Sequence, residues 1–395
     1  NARFLGPAGR GDYFFVTTLA LIITQFAHLG LASSNTYLVA RQLNLLGKLL
    51  VNSFWISLLI GVVVSALTIA GLFVLQIPMP HGTWLLLLLA PASLFYLLGS
   101  NLLVGINKVI LYNFFQVGSN LLLVSLMLVA GLIGCQVYGF LLVSVLGWVV
   151  VALSMLIYLM NFTKQATLGF WFDKACFLQG AQYGFKLYLI TLTGMLVLKG
   201  NVFLLKYFTT DVSLGYYSIA SQLNDCLAIL PSSVGLVLFP SLIRNTNDRW
   251  QEMIKSLWMI MGVMLFACLA GALLVKPFIQ IAFGARFLPA VEIFWCMLPG
   301  AFFLGLITII SQYLAAIGCP KLLIAVWLIA FIVVIVSSWL LVPIFAAKGA
   351  AISLSIAYFV LFGLIFLLAK KFATPQVRHP ERSEGSPELG INSVN

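Results

Sequence analysis

Apolar runs of about 20 residues, each long enough to cross a bilayer at 1.5 Å per helical residue, follow one another almost without pause through the chain. Read with that ruler, the 395 residues hold about eleven spans: 12–40, 49–77, 83–104, 109–134, 137–160, 185–208, 213–241, 253–275, 290–316, 322–342 and 349–369. Charged residues make up 8% and the mean hydropathy is +1.11. A soluble domain carries roughly 25% charged residues, so these polar groups are too few to cover a globule. The expectation is an all-α polytopic membrane protein.

The formal charge of +11 would suggest nucleic acid in a cytosolic protein. Here it reads as basic residues kept on one side of a membrane. Loops after the odd-numbered spans, with the tail, hold 14 Lys and Arg; the opposite side holds 6, and Lys199 falls inside a span. The richer side is cytoplasmic by the positive-inside rule, which puts the C-terminus inside. Attraction to anionic lipid headgroups follows from the same charges. Six scattered cysteines and the distant His28, His81 and His379 predict no disulfide, no metal and no cofactor. No nucleotide-binding Gly-x-x-x-x-Gly-Lys-Ser/Thr occurs, so the chain does not hydrolyse ATP itself.

The chain repeats. Gly11-Asp12-Tyr13 opens the first span and Arg41 closes it; Gly215-Tyr216-Tyr217 opens the seventh and Arg244 closes it, at separations of 30 and 29 residues. Gly105 to Gly139 and Gly318 to Gly349 add separations of 34 and 31. Matched spans run in the same direction, so the halves are related by an axis along the membrane normal, with a site between them near the midplane. Six spans in the second half against five in the first predict a missing leading span, before Asn1. The expected domains are a helical bundle over 1–160, a cytoplasmic interfacial linker over 161–184, a six-helix bundle over 185–373 and a disordered cytoplasmic tail over 374–395.

Charges inside apolar spans mark function, because burial there is costly. Lys199 lies about 12 Å deep and Asp225 about 18 Å from the same face, within reach of one another. They read either as a pair that separates when substrate or a cation binds, or as a permanent structural pair. Lys199 alone reads as a cation for an anionic headgroup or as a lysine snorkelling outward. Gln25, His28 and Asn35 stripe one face of the first span, as a sugar-binding cavity wall or as helix–helix ties. Asn113, Gln116 and Asn120 repeat that pattern. Arg41 and Arg244 sit at matched inner ends, as diphosphate attractors or as membrane anchors, and Lys206 reads as a loop-edge anchor.

Several pieces resemble the bacterial polysaccharide and O-antigen flippase family, of the superfamily that also holds multidrug exporters. They are Leu5-Gly-Pro-Ala-Gly-Arg-Gly-Asp-Tyr13, Leu29-Gly-Leu-Ala-Ser-Ser-Asn-Thr-Tyr37, Gly215-Tyr-Tyr-Ser-Ile-Ala220, the run from Leu230 to Pro240, and Phe283-Gly-Ala-Arg-Phe-Leu-Pro289. The resemblance implies 12 spans in two pseudo-symmetric six-helix bundles, alternating access in the bacterial inner membrane, and a polyprenyl-diphosphate-linked glycan as partner. H+ or Na+ coupling and a monomer are further expectations. Where many relatives resemble Arg-x-Asp, this chain has Lys199-Gly-Asn201; Lys199 and Asn201 become substrate-binding candidates beside Gln25, His28, Asn35 and Arg41, with Asp225 for coupling. The rival readings are a small-molecule exporter, a membrane glycosyltransferase or polymerase, and a structural scaffold. The exporter would favour acids inside the membrane, and the enzyme clustered carboxylates or His with sizeable loops.

Overall fold

The computed structural model describes residues 2–163, 171–244, 248–318 and 320–373. Thirteen α-helices follow in order: α1 (Ala2–Ala27), α2 (Leu31–Arg41), α3 (Leu46–Val74), α4 (Leu86–Gly105), α5 (Val109–Leu132), α6 (Val137–Thr163), α7 (Lys174–Lys199), α8 (Asn201–Phe208), α9 (Asp211–Leu227), α10 (Ile229–Arg244), α11 (Arg249–Ala282), α12 (Ala290–Ala316) and α13 (Leu322–Ala373). No strand occurs among the described residues. With no water in the bilayer core, a helix is the form in which a single segment satisfies its own backbone.

Nine described helical segments are long and apolar enough to cross a membrane, α7–α8 and α9–α10 each counting once; the pair α1–α2, bent by 51°, makes a tenth. The 52 residues of α13 would reach about 78 Å as one rod, far beyond a bilayer. Ala346 breaks it at φ 50° and ψ −128°. A Cβ on Gly349 would overlap the Leu341 carbonyl, though a straight helix would hold those positions about 12 Å apart. The chain therefore reverses there, and α13 makes two crossings. That gives the eleven spans expected from hydropathy.

The helix boundaries differ from expectation at the centre of the chain. In place of an interfacial linker reaching residue 184, α7 already begins at Lys174, where the Asp173 carboxylate accepts the Cys176 N–H at 3.0 Å and caps the helix. The expected tail, 374–395, and Asn1 lie outside the described residues, as do 164–170.

The bend between α1 and α2 has a local cause. Leu29 and Gly30 both take positive φ, 47° and 82°, and the Gly30 N–H donates to His28 Nδ1 at 3.0 Å. Gly30 also sits against Gly184 of α7, backbone on backbone, where a Cβ on either would overlap the other.

Among the described residues, three large apolar cores and a small one around Ala27, Ile56 and Leu94 set the architecture. For description, the face carrying the starts of α1 and α9 is the upper one. There both bundles share a single core, in which Phe15, Val16 and Leu19 of α1 join Leu205, Tyr217 and Ile293 from the second half. Below it the cores separate. One lies chiefly in the first bundle, around Leu50, Phe95, Leu103 and Met155, and takes in Cys176 of α7; the other lies in the second, around Ile260, Ile310, Val334 and Leu361. The two bundles share one core at the top; beneath it their cores separate, and α7 packs across to the first bundle, through Gly184 on Gly30 and Tyr183 on Tyr37.

The fusion runs along α1 and α9, and it is reciprocal. A Cβ on Gly11 would overlap the carbonyl oxygen of Asp211, and one on Gly215 would overlap that of Pro7. Asp211 precedes Gly215 by four positions, as Pro7 precedes Gly11. The same patch of each repeat meets its equivalent, as an isologous contact requires.

Candidate functional site

α9 carries a polar stripe made by Ser218, Ser221, Gln222 and Asp225, spaced so that all four share one helical face. Two cations dock on it from opposite bundles. From α1, Arg10 donates through Nε to Ser218 Oγ at 3.1 Å and through Nη2 to Gln222 Oε1 at 3.3 Å. From the end of α7, Lys199 Nζ lies 3.3 Å from both Ser221 Oγ and Asp225 Oδ2. The stripe spans about 10 Å at helical rise.

The structure thus brings Lys199 and Asp225 together, with the lysine stem turned onto α9 rather than out among acyl tails. The lysine side chain is 12% exposed and the Asp225 carboxylate 53%. Their helices pass here from the shared upper core, which includes Val202, to the separate lower one, which includes Val197. The pair lies where the shared upper core gives way to the lower one, with its carboxylate the more exposed partner.

Beside Arg10 a cavity of about 500 Å³ opens between the bundles, lined by α1 and α5 on one side and by Gln222, Ala282 and Phe283 on the other. Arg3 and Arg10 both face it, and no carboxylate lines it. Arg3 also donates to the carbonyl of Ile281 across the gap. The lining is cationic.

Above the stripe lies a cluster that charge counting missed. Lys206 reads from sequence as a loop-edge anchor; in the structure its side chain is 2% exposed and bonded to Asp12 at 3.0 Å and to Asp211. It also lies over the Phe15 ring at 5.4 Å. Asp12 belongs to the first bundle and the other two to the second, so this triad ties the upper faces together. A buried ion left without partners is costly, and here two carboxylates meet the one ammonium. The triad residues and Arg10 fall in or beside the Gly11 and Gly215 openings of the two repeats; that repeat was the signal that could have found them.

The remaining candidates go elsewhere. Asn201 is 0% exposed, and its amide donates to Tyr217 Oη at 2.8 Å and to the Ala350 carbonyl at 3.2 Å, tying α8 to α9 and α13. Asn35 is buried and donates to Ser53 Oγ at 2.9 Å, joining α2 to α3. His28 holds the α1–α2 bend and packs edge-on against Tyr188, centroids 5.1 Å apart. Gln25 is half-buried on α1. Arg41, exposed, donates to Tyr37 Oη at 2.9 Å, and Tyr37 stacks on Tyr183 of α7 at 3.9 Å. In the second stripe, Gln116 accepts from Tyr96 at 3.1 Å.

On the lower face the bundles share a smaller clasp. Lys48 reaches Asp173 at 2.8 Å, and Asn52 exchanges two hydrogen bonds with the Asp173 backbone at 2.8 and 2.9 Å. The Lys48 ammonium and the Cys176 N–H hold the Asp173 carboxyl below its usual range. Among the described residues no His, Cys, Asp or Glu group is arranged to hold a metal, and five cysteines are free.

Comparison with known proteins gives a family and a fold. The sequence model of the family described as polysaccharide biosynthesis protein matches residues 1–246. No curated protein matches. Among solved structures, an inward-facing multidrug resistance MATE family transporter of the MOP superfamily aligns with a TM-score of 0.76 at 14% identity, over 94% of this chain and 92% of that one. Lipid II flippase MurJ in an inward closed conformation aligns at 0.72 and 17% identity, over 92% and 81%. An outward-facing MATE family transporter aligns at 0.66 and 15%, over 92% and 87%. These likenesses establish the two-bundle membrane fold.

Proposed function

Since the chain belongs to the polysaccharide biosynthesis protein family, we propose that it is a flippase: it carries a polyprenyl-diphosphate-linked oligosaccharide from the cytoplasmic to the outer leaflet by alternating access. The observation that carries this reading is the sign of the inter-bundle space. Arg3 and Arg10 line the cavity and no carboxylate is among its lining residues; Lys199, bonded to Ser221 and Asp225, lies further along the same polar stripe of α9. A diphosphate seeks such donors.

The positive-inside rule makes the lower face cytoplasmic, with the C-terminus inside, in the bacterial inner membrane. One shared core above and separate cores below then correspond to a state closed outside, whose inner side is held by the Lys48–Asp173 clasp and the Tyr37–Tyr183 stack. The headgroup enters from the cytoplasm, displaces Asp225 from Lys199, and meets Arg10 as the bundles rock. The triad of Asp12, Lys206 and Asp211 opens to release it, and H+ or Na+ is the coupling ion whose binding re-forms the closed face. Arg41 beside the Tyr37–Tyr183 stack offers first contact at the cytoplasmic mouth. Gln25 contributes a hydrogen-bonding group to the sugar, with His28, Asn35 and Asn201 as the supports that hold the walls.

The fold likeness to MATE transporters supports a small-molecule exporter as the second reading. That reading needs acids in the cavity to hold cationic drugs, and Asp225 is already bonded to Lys199. Vesicles reconstituted with the protein and a fluorescent polyprenyl-diphosphate oligosaccharide decide between them. Flipping that is lost in Arg10→Gln/Lys199→Gln supports the flippase; cationic-dye export without glycolipid flipping supports the exporter.

A further inference from the structure

A second inter-bundle cavity, of about 370 Å³, lies at mid-depth away from the arginines. Ile23 and Phe26 of α1 and Thr68 of α3 line it from the first bundle; Gly200, Leu204 of α8 and Ile335 of α13 line it from the second. Thr68 is the one lining residue with a side-chain polar group. Its threonine hydroxyl is already turned back onto the Val64 carbonyl at 2.8 Å, so the space is apolar. Gly200 lines it without a side chain: a Cβ there would overlap the Leu196 carbonyl and press on Phe331 at 3.1 Å.

What distinguishes this slot from an ordinary lipid-facing groove is its neighbour. Lys199 precedes Gly200 directly, so its side chain leaves the same helical turn about 100° round the axis. There it meets Ser221 and Asp225 on α9. No acid lines the slot itself. An apolar slot with an ammonium on the adjacent face suits an anionic amphiphile.

We propose that this slot binds the isoprenoid tail of the lipid whose anionic headgroup engages Lys199, so that one ligand touches both bundles at once; the inference rests on the flippase reading above. Because both bundles build the walls, a tail seated there is gripped in the present arrangement and released when the bundles rock. A groove of similar character between α3, α4 and α6, lined by Leu58, Pro91 and Phe95, belongs to one bundle alone and supplies the control.

The test uses a polyprenyl phosphate bearing a diazirine near its tail end, in nanodiscs of phosphatidylcholine, with the full chain. Photolabel is expected on the peptides containing Ile23 and Leu204. Leu204→Trp should lower labelling about tenfold, a change of about 1.4 kcal/mol in binding, while Leu58→Trp leaves it unchanged. If Leu204→Trp does not fold, Ile335→Phe supplies a smaller occlusion to the same end. Labelling that survives both fillings, falls equally in Leu58→Trp, or is competed by excess phosphatidylcholine overturns the proposal. The assay contains no glycan and no transport step, so the slot and the flippase reading fail separately. Labelling without flipping removes the reading and leaves an isoprenoid-lipid site; flipping without labelling removes the slot.

Discussion

Lys206 Nζ sits 3.0 Å from the carboxylate of Asp12, a residue 194 positions earlier and on the other bundle. The ammonium is almost wholly enclosed, and Asp211 is its second partner. Sequence distance and burial together make this pair an interaction between bodies, not within one.

Removing the ammonium should loosen the upper face. Lys206→Met leaves Asp12 and Asp211 facing one another without a cation. Breaking a buried pair costs about 3–5 kcal/mol, and the partial exposure of Asp211 points to the lower end. The expected result is a lower thermal-unfolding temperature and greater labelling of a cysteine placed at Leu214 by a membrane-impermeant thiol reagent. Unchanged labelling would make the triad structural only.

Gly215→Ala tests the seam itself. The added methyl has nowhere to go but the Pro7 carbonyl, and overpacking of this kind costs about 1–3 kcal/mol. Double electron–electron resonance between labels on the starts of α1 and α9 should report a longer distance than in wild type.

The cations on α9 should act on rate. Charge-assisted hydrogen bonds contribute about 1.5–3 kcal/mol each, so Arg10→Gln and Lys199→Gln should each slow glycolipid flipping by roughly ten- to a hundredfold. Asp225→Asn leaves Lys199 free of its carboxylate. The expected outcome is tighter binding of a polyprenyl diphosphate with slower turnover, measured by binding in detergent and flipping in vesicles.

The lower clasp gives a pH dependence. Lys48 and the Cys176 N–H depress the Asp173 pKa in the folded chain. A depressed acid contributes its stability above its unfolded value of about 3.9 and loses it as pH falls through the lower folded value. Distances between labels flanking Lys48 and Asp173 should therefore hold steady down to about pH 5 and lengthen only below about pH 4. Asp173→Asn should show the lengthened distance at neutral pH.

The span count was legible because the bilayer sets a length that hydropathy measures directly. α13 shows how far that reaches: the run looks continuous, yet Gly349 in the sequence repeat marks the reversal that Ala346 makes. The Lys199–Asp225 approach was legible from depth, since helical rise turns residue number into ångströms. Arg10 and Lys206 were not, because charge counting assigns any cation near a span end to the loop. Only packing tells a loop lysine from one folded back between two carboxylates. The polar stripe of Gln25, His28 and Asn35 shows the reverse: periodicity gives a face, but not whether that face meets a cavity, a bend or a neighbouring helix.

The reciprocal contact of Gly11 with Asp211 and Gly215 with Pro7 makes the seam self-complementary. Each half offers the other the same patch of backbone, so one glycine in the repeat serves both sides of the seam. The two copies differ beside it: Arg10 and Asp12 flank Gly11, where Leu214 and Tyr216 flank Gly215. The seam is thus self-complementary in backbone and asymmetric in charge.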